Sequence, residues 1–119
     1  MGRERIELGK EGEEKAANFL RKKGYGILER NYKNKIGEID IIAKDKDTIC
    51  FIEVKARTSL KFGLPEEAVT FSKQKKLNRI ALGYLKHYNL LEAPARFDIV
   101  SVMFNSDNKA QISLIKDAF

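Results

Sequence analysis

The chain has 119 residues, of which 34% are charged and 43% hydrophobic, and its formal net charge is +6. This composition suits one packed domain over residues 1–119 and excludes a chain that is disordered throughout. The longest hydrophobic run, Ile49 to Ile52, is too short for a membrane-spanning helix. The single Cys50 excludes an internal disulfide. The charged amino terminus is not a secretory signal, so we expect a cytoplasmic protein.

The first half of the chain predicts one helix followed by three strands. Apolar residues form one stripe from about residue 8 to residue 23, and Gly24 is typical of the position that follows a helix. Strands are expected over residues 25–32, 38–43 and 48–56. Asp45-Lys46-Asp47 has turn chemistry, so the second and third strands are predicted to form a hairpin.

The second half predicts a loop, a helix and two further strands. The loop covers residues 57–64, and Pro65 opens a short helical turn. Ser72 is expected to cap a helix that continues to about Tyr88. The last strands cover residues 96–104 and 110–115, with a turn over 105–108. The order predicts an α/β fold, with a mixed sheet of about five strands flanked by helices.

The hairpin places two carboxylates inside apolar strands. If Lys46-Asp47 is a two-residue turn, Asp40 faces Glu53 and Glu38 faces Lys55. Two like charges so close repel each other, and an apolar flank raises that cost. A divalent cation relieves the repulsion, and carboxylate oxygens are the ligands that Mg²⁺ or Mn²⁺ prefers. The alternative is a half-exposed hairpin with a solvated polar face.

Two further expectations follow from this register. Lys55 shares the face of Glu53, within reach of a metal-bound water or a phosphate. The core is expected on the opposite face of the hairpin, formed by Ile39, Ile41, Cys50, Ile52 and Val54.

Charge is unevenly distributed along the chain. Residues 1–36 and 71–95 each carry a net charge of +4, whereas residues 37–70 carry −2. This distribution indicates a polyanion-binding surface around carboxylates, with ordinary solvated surface as the alternative. The start of the second helix combines backbone donors with lysines, which suits a phosphate. The candidate phosphate-binding residues are Arg30, Arg57, Lys73, Gln74, Lys75 and Lys76.

The order Asp40, twelve residues, then Glu53-Val54-Lys55 resembles the signature of the PD-(D/E)XK nuclease superfamily, whose core has a similar αβββαβ order. The sequence also resembles the YraN-like family of small bacterial predicted endonucleases, which is similar to archaeal Holliday-junction resolvases. The resemblance covers about residues 9–104 and includes Gly12-Glu13-x-x-Ala16, Arg30-Asn31-Tyr32, Gly37-Glu38-Ile39-Asp40, Glu53-Val54-Lys55-Ala56-Arg57, Phe62-Gly63 and Arg96-Phe97-Asp98. Ile39 stands where the superfamily often has a proline.

The resemblance implies a restriction-endonuclease-like fold and roles for the residues at its motif positions. Asp40 and Glu53 would be the metal ligands, helped by the carbonyl of Val54. Lys55 would orient or activate the attacking water, or stabilise the negative charge of the developing phosphorane.

The resemblance also implies roles for residues outside that motif. Glu13 would add an acidic group at the metal site, with a salt-bridged helix-edge glutamate as the alternative. Glu38 would join a second metal or pair with Lys55. Lys73 or Gln74 would match the lysine or glutamine that the superfamily often has on the helix after the motif lysine.

The implied activity is a Mg²⁺- or Mn²⁺-dependent endonuclease that hydrolyses DNA, with branched or Holliday-junction DNA among its substrates. Two alternatives stay open: a non-catalytic nucleic-acid-binding module with the same fold, and a protein-interaction domain. The resolvase resemblance also suggests a homodimer, because a two-fold enzyme can cut both strands of a symmetric junction.

Overall fold

The structure is a computed structural model that describes residues 2–59, 63–105, 107 and 109–119, with side chains from residue 8 onward. Its elements are α1 (Gly2–Lys22), β1 (Gly26–Lys33), β2 (Glu38–Asp45), β3 (Thr48–Arg57), a 3-10 turn (Pro65–Ala68), α2 (Phe71–His87), β4 (Ala95–Phe104) and β5 (Ala110–Ile115). The predicted α/β fold and the order of its elements are confirmed. None of the helices in the described ranges is long and apolar enough to cross a membrane.

The five strands form one mixed sheet in the order β1-β2-β3-β4-β5. The pairs β1–β2, β2–β3 and β4–β5 are antiparallel, whereas β3 and β4 run parallel. A tight turn cannot connect two parallel strands, so the chain crosses between β3 and β4 through α2. This connection brings the start of α2 to the end of β3.

One helix covers each face of the sheet, so the core has two layers. The layer under α1 includes Ala16, Ala17, Leu20, Ile41, Cys50, Ile52, Val100 and Val102. The layer under α2 includes Ile39, Ile42, Phe51, Leu77, Ile80, Tyr84 and Ile99. The predicted core face of the hairpin is confirmed for Ile41, Cys50, Ile52 and Val54, which lie in the layer under α1. Ile39 is the exception, because it packs with Ile42 in the layer under α2, and this second face of β2 and β3 is buried as well.

Both helices begin earlier than the sequence pattern indicates. The first helix begins at Gly2 rather than near residue 8, since Arg and Glu are good helix formers even without an apolar stripe. The second helix is capped by Thr70, whose hydroxyl accepts a hydrogen bond of 3.2 Å from the backbone N–H of Lys73. The predicted cap, Ser72, lies inside the first turn of the helix. Gly24 has a φ of 93°, as expected after a helix end.

Parts of two predicted segments lie outside the described residues. Residues 60–62 belong to the predicted loop and include Phe62 of the Phe62-Gly63 motif. Residues 106 and 108 belong to the predicted turn between β4 and β5.

A cluster of charges joins the β2–β3 turn to the start of β4. Arg96 donates to the carboxylates of Asp98 and Asp45, each at 3.0 Å, and to the hydroxyl of Tyr25 at 2.7 Å. Asp98 is fully buried and also accepts a hydrogen bond of 2.9 Å from the backbone N–H of Asp117. We call Arg96, Asp98, Asp45 and Tyr25 the turn-end cluster. Its hydrogen bonds join the residue before β1 to the end of β2, the start of β4 and the backbone of Asp117.

Candidate functional site where β2 and β3 diverge

The β2–β3 hairpin keeps the predicted register over half its length. Asp45 pairs with Thr48 across the two-residue turn, and pairing continues to Ile41 opposite Ile52, where the ladder ends among the described residues. The expected pairs of Asp40 with Glu53 and of Glu38 with Lys55 are therefore wrong. The strands diverge at Asp40, and its Oδ2 accepts a hydrogen bond of 2.8 Å from the backbone N–H of Val54. A side-chain carboxylate thus replaces the next backbone contact.

This divergence brings Asp40 close to charged groups from both helical layers. Glu13 on α1 interacts electrostatically with Asp40, as does Lys73 on α2. Glu53 and Lys55 on β3 also interact with Asp40. The fold therefore gathers five of the predicted site residues, which we call the site cluster: Glu13, Asp40, Glu53, Lys55 and Lys73.

Two carboxylates of the site cluster, those of Glu53 and Glu13, have surroundings that disfavour their charged forms. Glu53 is only 6% exposed. Burial, and then the negative charge of Asp40, raise the pKa of Glu53, while Lys73 and Lys55 pull it down. Burial and the charge of Asp40 also raise the pKa of Glu13. A cation entering the cluster would relieve both effects.

The two lysines of the site cluster differ in their contacts and in the direction of their pKa shifts. Lys73 forms an ion pair with Glu53, with 3.2 Å between Nζ and Oε2. Burial alone would lower the pKa of Lys73, but a hydrogen bond to Lys55 and the charge of Glu53 raise it. Burial, followed by the same hydrogen bond, lowers the pKa of Lys55. Lys73 therefore pairs with the buried carboxylate, while burial disfavours the charged form of Lys55.

A cavity of about 680 Å³ opens beside the site cluster, between α1 and the end of β3. Glu13 and Asp40 line it, together with Leu8, Gly9, Lys10, Val54, Lys55, Ala56, Arg57, Thr58 and Ser59. The helix can approach β3 closely because residue 12 is a glycine: a Cβ there would lie 2.6 Å from the Cβ of Ala56. This close contact favours glycine at position 12, and it places the next residue, Glu13, at the cavity.

Glu38 lies on the other side of the divergence, in a smaller cavity of about 370 Å³ that Lys73 and Lys76 also line. Asn31 connects it to the site cluster: with the amide turned so that its nitrogen faces them, Asn31 donates to Glu13 at 3.2 Å and to Glu38 at 3.0 Å. Sequence reasoning missed this role of Asn31. Its φ of 53° is the left-handed conformation that asparagine adopts more readily than most residues, but the sequence alone does not reveal it within a strand.

The other predicted phosphate-binding residues have structural contacts of their own. Arg30 forms an ion pair of 2.8 Å with Glu14. The side chain of Arg57 donates to the carbonyl of Gly63 at 2.6 Å, and that of Gln74 to the carbonyl of Val69 at 3.1 Å. The ammonium of Lys75 lies 4.8 Å from the centre of the exposed Phe71 ring, and Lys76 lies exposed beside Gly37. Arg57 alone of these residues lines the larger cavity.

The donor set at the divergence suits a hard divalent cation. The carboxylates of Asp40 and Glu53 and the nearby carbonyl of Val54 are oxygen ligands of the kind that Mg²⁺ and Mn²⁺ prefer. The described residues contain no group of three or more His, Cys, Asp or Glu side chains arranged to hold a metal ion. Any cation here would therefore be bound by two carboxylates, backbone oxygen and its own water.

Comparison with known proteins gives a consistent result over most of the chain. The sequence model of "Uncharacterised protein family UPF0102" matches residues 12–102. A UPF0102 protein of Caldicellulosiruptor saccharolyticus is 52% identical over 114 residues, which cover 95% of this chain and 97% of the relative. One from Desulfosudis oleivorans is 48% identical over 119 residues, covering 100% and 94% of the two chains. One from Thermodesulfovibrio yellowstonii is 50% identical over 115 residues, covering 97% of each.

Proposed function

The chain belongs to the UPF0102 family, and we propose that it is a Mg²⁺- or Mn²⁺-dependent endonuclease that hydrolyses DNA phosphodiester bonds. One observation carries the proposal: Asp40 and the buried Glu53 are held together beside Lys55, next to an open cavity. Such an arrangement costs stability, because it buries like charges near one another. Charges held at such a cost are typical of sites that bind a cation or perform catalysis.

The proposed metal ligands are Asp40, Glu53 and the carbonyl of Val54. When bound, the metal would polarise the phosphate and lower the pKa of an attacking water. Lys55 borders the same cavity, where its amine would position that water or donate a hydrogen bond to the phosphate oxygens. Lys73 would hold Glu53 in place, and Glu13 would hydrogen-bond to water on the α1 side.

DNA is the proposed substrate because basic groups lie on both sides of the carboxylates. Lys10 and Arg57 line the larger cavity, whereas Lys73 and Lys76 line the smaller one. A strand that runs across the divergence would meet cations before and after the cleavage point, and neutralised phosphates supply most of the affinity for DNA. Branched or junction DNA, cut by a homodimer, is the finer form of this proposal.

The test is nicking of supercoiled DNA with Mg²⁺ or Mn²⁺, with EDTA as the metal-free condition. Asp40→Asn, Glu53→Gln and Lys55→Ala should each lower the rate by at least about 100-fold. Asp47→Asn and Lys44→Ala are matched controls, because both residues are exposed on the same hairpin, and they should keep the wild-type rate.

Linear, flapped and four-way DNA, with an RNA duplex alongside, would then identify the preferred substrate. The proposal fails if the wild-type protein cuts none of these with either metal, or if the site variants cut as fast as the controls.

A second function, a non-catalytic nucleic-acid-binding module, is favoured by one specific contact. Lys73 already neutralises Glu53 at 3.2 Å, as a metal would. If this ion pair is permanent, calorimetry would show no binding of Mn²⁺, and DNA affinity would depend on salt but not on the metal. Metal binding that Glu53→Gln removes would reject the module and support the enzyme.

A further inference from the structure

A groove of about 250 Å³ with aromatic walls lies on the flank of α2 away from the smaller cavity. Phe71 forms one wall, and this residue is 70% exposed. Phe97 and Phe119 form the other wall, stacked with 4.8 Å between ring centroids. Lys75, Gln74 and Asn78 complete the lining. The groove is smaller than the pockets that hold whole drug-sized ligands, so it suits one flat ring system.

We infer that this groove binds an unpaired nucleobase of the DNA substrate, an inference that rests on the proposed function. An aromatic side chain exposed to this degree gains from stacking, and every nucleobase offers a flat face. The ammonium of Lys75, 4.8 Å from the ring centre of Phe71, supplies positive charge at the groove for the phosphate beside that base.

The position of the groove along α2 connects it to the site cluster. Phe71 and Lys75 lie on the groove side of the helix, whereas Lys73 lies between them in sequence and reaches Glu53. Residues two apart project about 200° from each other around an α-helix, so Lys73 and Lys75 lie on opposite flanks of α2, about 3 Å apart along its axis. A strand crossing the start of α2 can therefore offer phosphates to both lysines while one base enters the groove. The preferred DNA would carry an unpaired base close to the cleavage point.

Binding in EDTA separates this inference from cleavage. The probes are a duplex with a single bulged 2-aminopurine, whose fluorescence falls when the base stacks, and the same duplex fully paired. We expect Phe71→Ala to weaken binding of the bulged duplex by about 5- to 100-fold and to remove the quenching. Binding of the paired duplex should change less than twofold.

Leu82→Ala is the matched control, because Leu82 is also an exposed apolar residue of α2 but does not line the groove. It should bind both duplexes as the wild type does, and Phe71→Tyr should restore binding of the bulged duplex. A thermal unfolding scan would show that each variant is folded.

The inference is overturned if Phe71→Ala matches Leu82→Ala, or if it weakens the two duplexes equally. Either result can occur while Glu53→Gln still abolishes cleavage, so failure of the groove leaves the proposed endonuclease intact. Loss of bulge binding in a protein that cuts no DNA would support the groove and reject the enzyme.

Discussion

The turn-end cluster and the site cluster lie toward opposite ends of β3, and they shift the pKa values of acidic side chains in opposite directions. The pKa of Asp45 is lowered, whereas those of Glu13 and Glu53 are raised. In the turn-end cluster, hydrogen-bond partners favour the ionised forms of Asp45 and Arg96. A hydrogen bond from Arg96 lowers the pKa of Asp45. Burial opposes the charge of Arg96, yet its hydrogen bonds to Asp98 and Asp45 raise its pKa. Asp45 and Arg96 are therefore more easily charged in the folded protein than in water, whereas burial raises the pKa of Tyr25 to about 12 and keeps its hydroxyl neutral.

In the site cluster, the surroundings disfavour the ionised forms of Glu53, Glu13 and Lys55, although the partners of Lys73 raise its pKa. Burial and the charge of Asp40 raise the pKa of Glu53 and of Glu13. Burial and the neighbouring Lys73 lower the pKa of Lys55. Both clusters contain motif residues of similar composition, so residue type alone does not distinguish them. The difference supports our proposal that the site cluster binds a further ligand, whereas the turn-end cluster stabilises the fold.

The largest expected loss of stability is for removal of the buried acid of the turn-end cluster. Asp98→Ala leaves Arg96 without its buried partner, so we expect the free energy of unfolding to fall by about 3–5 kcal/mol. Urea unfolding followed by circular dichroism measures this change. Asp107→Ala, at an exposed position, should stay within about 0.5 kcal/mol of the wild type. Equal stabilities of the two variants would mean that the turn-end cluster does not stabilise the fold.

The close approach of α1 to the site can be tested with two glycines of the same helix. Gly12→Ala places a Cβ 2.6 Å from that of Ala56 and should cost about 1–3 kcal/mol of unfolding free energy. Gly9→Ala meets no atom within 4 Å and should stabilise the helix by up to about 1 kcal/mol. Urea unfolding compares the two. A stabilising Gly12→Ala would show that α1 does not press against β3.

The same stability measurement should give a small effect for a buried acid of the site cluster. Glu53→Gln removes a charge that burial and Asp40 disfavour, and it leaves the half-exposed Lys73 able to reach water. We expect the free energy of unfolding to rise, or to fall by no more than about 1 kcal/mol. A loss as large as that of Asp98→Ala would erase the distinction between the clusters.

The smallest expected effect is on the acid dependence of stability. The folded-state pKa of Asp45 lies below its ordinary value of 3.8, so its contribution is complete above that pH and is lost as the pH falls through the lower folded value. Asp45→Asn should therefore lose less stability than the wild type between pH 5 and pH 2. Thermal unfolding across this range measures the difference, and parallel curves for the two proteins would contradict the assignment.

The sequence was sufficient for the fold because its local signals agree. Turn residues separate each strand, and the two-residue turn at Lys46-Asp47 fixes the hairpin register from Asp45 to Ile41. The order of helices and strands then allows few topologies. The proximity of Asp40 and Glu53 was also predictable, since their carboxylates interrupt apolar strands where a charge is costly.

The arrangement within the site was not predictable. Strand alternation assumes a continuous ladder, and the ladder ends where Asp40 bonds to the backbone of Val54. The same assumption placed Ile39 on the wrong face. Whether a lysine contacts a carboxylate or solvent depends on how its helix packs. The ion pair of Lys73 with Glu53 is therefore visible only in the three-dimensional structure.

The hydrogen bond between Asp40 and Val54 turns one backbone amide into a reporter of the candidate site. The N–H of Val54 is held by a side chain rather than by the neighbouring strand, so its exchange with solvent deuterium depends on where that carboxylate points. A ligand that draws Asp40 away would expose this amide while the amides of the Ile41–Ile52 ladder stay protected. Occupancy of the site would then be visible in the absence of turnover, as a change in the exchange rate of a single proton.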